Sequence, residues 1–196
     1  MDCTIFCPMK RLFAAIKIEP SAEFTRLATL LSQELKHDRI NWVELKNIHL
    51  TLKFFGETDE NQIPAIRKAL GNAASQCQPF TLQISRTGIF GSRYEPRVIW
   101  FGLDASAPMN ELARLSMQEL SKAGWEADRQ NFVPHLTIGR IKEIRDKQLF
   151  QQVIDKYRNT RIQDQPVGEI ILYESILMPQ GPTYIKLATF PLAKTL

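Results

Sequence analysis

Long apolar segments and a paired set of cysteines are both missing from this sequence of 196 residues. The three cysteines, Cys3, Cys7 and Cys77, are too few for a disulfide framework and do not repeat at the spacing of metal ligands. The apolar run 12–18 is too short for the core of a signal peptide, and no stretch is long enough to cross a membrane. We therefore expect a cytoplasmic protein without a membrane-spanning segment, whose core needs no disulfide.

Excess charge is also small, because lysine and arginine number 25 against 21 acidic residues, a formal net charge of +4. This balance attracts phosphates but is too weak to hold duplex nucleic acid by charge alone. A small or terminal anionic substrate suits this balance, but a pI near 9.0 is ordinary among soluble proteins and does not by itself indicate such a substrate.

Apolar periodicity predicts two similar series of strands and helices. The first series has strands at 12–18, 47–55 and 80–84, with helices opened by Ser21 and by Asp59. Gly56 is expected to end the second of these strands, and a loop is expected over 86–96. The second series has strands at 98–103, 135–141, 168–177 and 184–190, with helices from Ser106 to Gly124 and over 146–157.

One offset, 86 residues, relates the two series, mapping Leu12 onto Val98 and His49 onto His135. Such a repeat predicts an α+β fold with two pseudosymmetric lobes, each an antiparallel sheet with helices on its outer face, and a central cleft between them. We expect residues 1–196 to form one bilobal domain whose lobes are intertwined. Pseudo-twofold pairing would bring equivalent positions face to face across the cleft.

The best-matching stretches of the repeat both have the pattern histidine, apolar, threonine, apolar. Strand alternation predicts that His49, Thr51 and Lys53 lie on one face of the first strand, while residues 50, 52 and 54 pack against helices. His135 and Thr137 are expected to lie on the equivalent face of the second strand. A lone strand histidine is more often structural, but core packing does not require the same polar pair twice.

Two imidazoles facing one groove can supply the base and the acid for displacement at phosphorus, because unperturbed histidine titrates near pH 6.5. The threonine hydroxyls can donate hydrogen bonds to the non-bridging oxygens. The third histidine, His37, follows the first helix and has no predicted chemical role. No carboxylate or cysteine lies at ligand spacing from the paired histidines, so we expect neither a metal nor another cofactor.

The motifs HLTLKFFGE at 49–57 and PHLTIGR at 134–140 and, more weakly, PRVIW at 96–100 resemble the two-histidine phosphoesterase superfamily. Within it the sequence is most similar to the RNA 2′,3′-cyclic phosphodiesterases, formerly called 2′-5′ RNA ligases, over nearly the whole chain. The resemblance implies that both motifs line a central cleft and that a terminal 2′,3′-cyclic phosphate of RNA is hydrolysed to a 2′-phosphate. It also implies that His49 protonates the departing 3′-oxygen and that His135 activates water.

Three further features are candidates for substrate binding. Arg140 follows the second motif, where relatives often carry a basic residue, but strict alternation points it away from His135 unless the strand bends after Gly139. Lys53 can add positive charge or be simply solvated. The segment 86–97 combines arginines with aromatic residues that could stack a base, and an ordinary connection is the alternative. The expected partners are RNA ends or nucleotides with a 2′,3′-cyclic phosphate, bound by a monomer.

Two other functions remain open from the sequence. Within the same class, the protein could seal RNA ends through a 2′-5′ linkage or open the cyclic phosphate of a small nucleotide. In a different class, it could be an RNA- or nucleotide-binding module without turnover. The four intact motif residues, His49, Thr51, His135 and Thr137, disfavour this last possibility, because binding alone does not need a matched acid and base.

Overall fold

A computed structural model describes residues 8–126, 133–179 and 181–193, which form nine strands and four helices. The strands are β1 (Met9–Lys17), β2 (Arg39–Trp42), β3 (His49–Asp59), β4 (Phe80–Gly91), β5 (Pro96–Leu103), β6 (His135–Glu143), β7 (Arg161–Val167), β8 (Glu169–Met178) and β9 (Gly181–Pro191). The helices are α1 (Ala22–Glu34), α2 (Ile63–Ala74), α3 (Ala107–Lys122) and α4 (Lys147–Lys156). Among these four helices, none is long and apolar enough to cross a membrane. Cys3 and Cys7 lie outside the described residues.

The strands form two antiparallel sheets, which confirms the predicted α+β class. The first sheet has the order β3-β1-β8-β9 and the second has the order β2-β6-β5-β4-β7. One apolar core contains Leu12 and Leu50 from the first sheet together with Ile84, Phe101 and Leu136 from the second. This shared core is the basis on which we propose a single domain.

Local sequence explains where the helices begin and which face they bury. The side chain of Ser21 accepts a hydrogen bond from the Phe24 amide at 3.1 Å, and Asp146 caps α4 in the same way. The ring of Phe24 packs against Phe101 of the second sheet at 5.0 Å between centroids. In α4 the buried stripe consists of Phe150, Val153 and Ile154, whereas Leu149 in the first turn lies outside this stripe and is 43% exposed.

Gly56 does not end β3, contrary to the sequence-based expectation. The strand continues to Asp59, and Gly56 adopts a positive φ of 75° within it. Phe54 pairs with Phe13 and Gly56 pairs with Leu12, so one residue of β3 is left over between them. Such a bulge bends a strand without ending its pairing, which is why a glycine here is compatible with an uninterrupted sheet.

The predicted loop over 86–96 was also largely wrong, because β4 continues through it to Gly91. Arg86 adopts a positive φ of 62° at a bulge, after which β4 goes on pairing with β5. Only residues 92–95 connect the two strands. Two strands, β2 and β7, were missed altogether. Both lie at edges of the second sheet. A short polar segment gives little indication of a strand by itself, because at a sheet edge the strand depends on pairing with its neighbour.

Replacing Gly56 by alanine is expected to lower the free energy of unfolding by about 1–2 kcal/mol, because a left-handed backbone costs a residue with a Cβ about that much. The space around the new methyl group is adequate, since its nearest neighbour is Phe54 Cε1 at 3.8 Å. Urea denaturation measures the change. Gly168→Ala is the control, because Gly168 has no neighbour within 4 Å of an added Cβ. Equal stabilities for the two variants would contradict the role given to the Gly56 conformation.

Candidate active site

Each of the two strands that carry the motifs has a β-bulge directly after its threonine. In β3, Thr51 pairs with Ala15 and Lys53 pairs with Ala14, so Leu52 is an extra residue. In β6, Ile138 is extra in the same way, between Thr137 and Gly139. A bulge shifts side-chain alternation by one residue. Both strands therefore change the direction of their side chains at equivalent positions of the repeat.

In β3 this shift exchanges the places of Lys53 and Phe54. Lys53 is only 7% exposed, and its Nζ donates a hydrogen bond to the Glu126 carbonyl at 3.0 Å. Phe54 is 46% exposed and lines the cleft beside Thr51. The prediction that Lys53 shares a face with His49 was therefore wrong, and Lys53 is not among the residues that the structure places around the cleft.

In β6 the same shift brings Arg140 into the cleft. Sequence alternation pointed this side chain away from His135, and a bend after Gly139 was expected to be necessary. The structure instead has the bulge at Ile138, one residue earlier, and Arg140 lines the cleft with His135. Offset by 86 residues, Phe54 and Arg140 are equivalent positions.

The cleft has a volume of about 790 Å³ and has walls from both sheets. His49 and Thr51 of β3 contribute to it from the first sheet, and His135 and Thr137 of β6 contribute from the second. All four motif side chains therefore meet at one space. In the described parts of the chain, no group of three or more histidine, cysteine, aspartate or glutamate side chains could hold a metal ion.

Each histidine ring is held by a backbone carbonyl two residues before it. The Nδ1 atom of His49 lies 2.7 Å from the Asn47 oxygen, and the Nδ1 atom of His135 lies 2.8 Å from the Val133 oxygen. Because a carbonyl oxygen can only accept, Nδ1 must carry a hydrogen in both rings. Nε2 is then the nitrogen that can accept or deliver a proton.

The ring of His49 is surrounded by aromatic side chains. Its ring lies 4.8 Å from the Phe13 ring and 5.2 Å from the Tyr184 ring, between centroids. Burial is the main cause that lowers the pKa of His49, and the charges of Arg140 and His135 act in the same direction. We therefore expect His49 to be neutral at pH 7 before substrate binds.

The cleft carries an excess of positive charge. Arg11 and Arg140 line it, and the one carboxylate among the described lining residues, Glu44, is paired with Lys46 at 2.7 Å. The guanidinium of Arg11 lies 4.8 Å from the centre of the Phe54 ring. This arrangement offers cationic groups and an aromatic surface beside the two imidazoles, as a nucleotide phosphate with its base would require.

Sequence reasoning missed Arg11, Phe54 and Tyr184 as cleft residues. The offset of 86 could have indicated Phe54, because it maps this residue onto the candidate Arg140. The same offset maps Arg11 onto Arg97, within the candidate segment 86–97, and only Tyr184 had no comparable signal. Arg11 and Tyr184 reach the cleft because β1 pairs with β3 and because β9 joins the same sheet, and neither neighbour relation is encoded in a local motif.

Comparisons with known proteins give matches over most of the chain. A family model described as LigT-like phosphoesterase matches residues 16–100 and 103–184. The RNA 2′,3′-cyclic phosphodiesterase of Archaeoglobus fulgidus is 31% identical over 180 residues, 92% of this chain and 99% of the relative. The RNA 2′,3′-cyclic phosphodiesterase of Methanocaldococcus jannaschii is 33% identical over 174 residues, which cover 89% of this chain and 96% of the relative. A crystal structure of a protein from Thermus thermophilus aligns with a TM-score of 0.74 at 25% identity, covering 94% of this chain and 98% of the other.

Proposed function

The chain belongs to the LigT-like phosphoesterase family, and from this premise we propose that it hydrolyses the terminal 2′,3′-cyclic phosphate of RNA to a 2′-phosphate without a metal. The observation that carries the proposal is the meeting of two imidazole–hydroxyl pairs in one cleft, from His49 with Thr51 and from His135 with Thr137. The matching relatives named RNA 2′,3′-cyclic phosphodiesterase support the substrate class. One chain supplies both walls of the cleft, so a monomer would be sufficient for activity, and we propose the cytoplasm as its place of action.

The proposed reaction is an in-line displacement at phosphorus. Nε2 of His135 removes a proton from water, whose oxygen forms a bond to phosphorus while the bond from phosphorus to the 3′-oxygen breaks. Nε2 of His49 delivers a proton to that 3′-oxygen, and the phosphate stays on the 2′-oxygen. Burial lowers the pKa of His49 and favours its neutral form in the free protein. The anionic substrate acts in the opposite direction, because a nearby negative charge raises the pKa of an imidazole, and His49 would gain its proton as the substrate binds.

The remaining cleft residues are proposed to stabilise the phosphoryl group. Hydroxyl donors from Thr51 and Thr137 would hold the non-bridging oxygens, where negative charge grows in the transition state. Arg140 would neutralise the same charge from the second sheet, and Arg11 would contribute from the first. Donors that are already in place need no rearrangement when the charge develops, which is the source of their catalytic effect.

The deciding experiment is incubation of the protein with an oligonucleotide that ends in a 2′,3′-cyclic phosphate, in the presence of EDTA. The expected product carries a 2′-phosphate, identified by its resistance to a 3′-specific phosphatase. A 3′-phosphate, or loss of activity in EDTA, would contradict the proposal. Addition of an RNA with a free 5′-hydroxyl tests for a 2′-5′ linkage, and a small cyclic nucleotide assayed in parallel tests for the alternative substrate. Tight binding without any product would indicate a binding module.

Activity is expected to depend on pH as a bell-shaped curve. One histidine must be neutral and the other protonated, so kcat/KM falls on both sides of an optimum. Because the pKa of His49 is lowered from its ordinary value of 6.5, the limb of the kcat/KM profile that belongs to His49 is expected below pH 6.5. Initial rates on a cyclic-ended oligonucleotide from about pH 5 to about pH 9 measure the curve. A flat profile over this range would contradict two-imidazole catalysis.

A further inference from the structure

A second cavity, of about 410 Å³, lies between the free edge of β4 and the end of α4. β7 pairs with β4 only as far as Ser85. Beyond Ser85, the segment that follows α4 bonds to β4 instead of β7. There the Arg86 amide donates a hydrogen bond to the Thr160 carbonyl at 2.8 Å. The lining includes three arginines and two side-chain amides: Arg86, Arg93, Arg158, Gln151 and Asn159. This set of donors is suited to an anionic ligand.

The three arginines are only partly neutralised by carboxylates. Arg86 lies 3.5 Å from Asp104 and also donates to a carbonyl, and Arg158 is paired with Asp155. Arg93 makes no hydrogen bond or ion pair with any residue that the structure describes, although its charge helps to lower the pKa of Asp155. Each guanidinium has five donor hydrogens. The cavity therefore has an excess of positive charge and unused donors, and Arg93 contributes to both.

Two buried hydrogen-bond donors at this cavity lack partners among the described residues. They are Oγ1 of Thr87 and Nε1 of Trp100, and both residues belong to the lining. The indole of Trp100 lies directly on Gly88, where an added Cβ would be 2.3 Å from Cζ2. Most buried polar groups in proteins are hydrogen-bonded. Both atoms are enclosed and have almost no exposed surface, so the match to a phosphate rests on the arginines, whose guanidinium groups donate charge-assisted hydrogen bonds to phosphate oxygens.

An aromatic wall connects this cavity to the catalytic cleft. Phe90 lies 5.6 Å from Trp100 and 4.6 Å from the His135 ring, between centroids. Gly88 pairs with Trp100, which pairs with Thr137. Two strand spacings amount to about 10 Å, which a stacked single strand covers with roughly three nucleotides at about 3.4 Å each.

We propose that this arginine-lined cavity binds a backbone phosphate of the RNA two or three nucleotides upstream of the cyclic end. The inference rests on the proposed function, because that function places the RNA end beside His135. The upstream strand would cross the Phe90–Trp100 wall, on which bases can stack without sequence preference. The enzyme would then prefer oligonucleotides over cyclic mononucleotides, since only a longer substrate reaches the arginines.

Arg93→Gln is the variant that tests the subsite, with Arg97→Gln as its matched control. Both substitutions remove one exposed arginine, Arg93 within the connection 92–95 and Arg97 just after it, but Arg97 pairs with Glu95 and does not line the cavity. On a cyclic-ended tetranucleotide, Arg93→Gln is expected to lower kcat/KM about tenfold, because one charge-assisted hydrogen bond to phosphate is removed. On a cyclic mononucleotide, kcat/KM is expected to stay within about twofold of wild type. The slope of log(1/KM) against log salt concentration for the tetranucleotide should weaken by about 0.7, as expected when one phosphate is no longer neutralised.

Equal losses on both substrates, or no loss on either, would overturn the subsite. So would an equal effect of Arg97→Gln, because it would indicate general electrostatic attraction. If the wild-type protein hydrolyses neither substrate, the proposed function fails instead. Fluorescence anisotropy with a tetranucleotide carrying a 2′-phosphate then decides the subsite without turnover: a tenfold weaker Kd for Arg93→Gln alone supports it, and an unchanged Kd refutes it.

Discussion

Replacing either His49 or His135 by alanine is expected to lower kcat on a cyclic-ended oligonucleotide by about 10² to 10⁴, the usual contribution of a positioned acid or base. Each ring is held through Nδ1 by a carbonyl, so that Nε2 can act on the substrate. Water cannot take over this role efficiently, because it lacks both the fixed position and a pKa near neutrality. Single-turnover kinetics with saturating enzyme measure the chemical step directly.

The matched control is His37→Ala, since His37 is exposed after α1 and does not line the cleft. It should retain wild-type kinetics. Circular dichroism and urea denaturation establish that the variants are folded, which matters most for His49 because its ring packs between Phe13 and Tyr184. The double variant should be little worse than either single one, because an acid and a base that act in one step do not contribute additively. Wild-type rates in either single variant would refute the mechanism.

Thr51→Val and Thr137→Val are each expected to lower kcat by about 10² to 10³, as loss of one donor to a developing oxyanion does. Valine keeps the shape of threonine and removes only the hydroxyl, so the strands should remain intact. The pseudosymmetry of the cleft predicts that both substitutions have effects of similar size. Steady-state measurement of kcat and KM on the cyclic-ended oligonucleotide distinguishes transition-state stabilisation from substrate binding.

Thr81→Val serves as the control for this pair, because Thr81 is an exposed strand residue of β4 outside the cleft. Its kinetics should not change. If Thr51→Val or Thr137→Val raised KM and left kcat unaltered, the hydroxyls would contribute only uniform binding, and the proposed role in the transition state would be wrong.

Local features of the sequence predicted the existence of the four helices and the beginnings of the strands that carry the motifs, but not the end of β3 or the first residue of α2. Ser21 and Asp146 cap helices where polar residues precede an apolar stripe, because capping depends on a few consecutive residues. His49 and His135 each begin a strand. The resemblance to two-histidine phosphoesterases rested on contiguous motifs, and the family match confirmed it.

Irregularities within the strands could not be predicted in the same way. Sequence alternation assigned Lys53 to the cleft and Phe54 to the core, and the bulge at Leu52 reversed both assignments. A bulge exists only relative to a partner strand, so β3 by itself carries no signal for it. The same reasoning applies to Arg140, which the bulge at Ile138 turns toward His135.

By itself the sequence determined the α+β class, the duplicated histidine–threonine pairs and the chemistry that such pairs can perform, because these depend on residue type and short spacing. The tertiary structure decided which other side chains share the cleft with those pairs, among them Arg11, Phe54 and Tyr184. It also decided that β2 and β7 complete the second sheet. The physical reason is that side-chain direction at a bulge and strand pairing at an edge depend on partners that are distant along the chain.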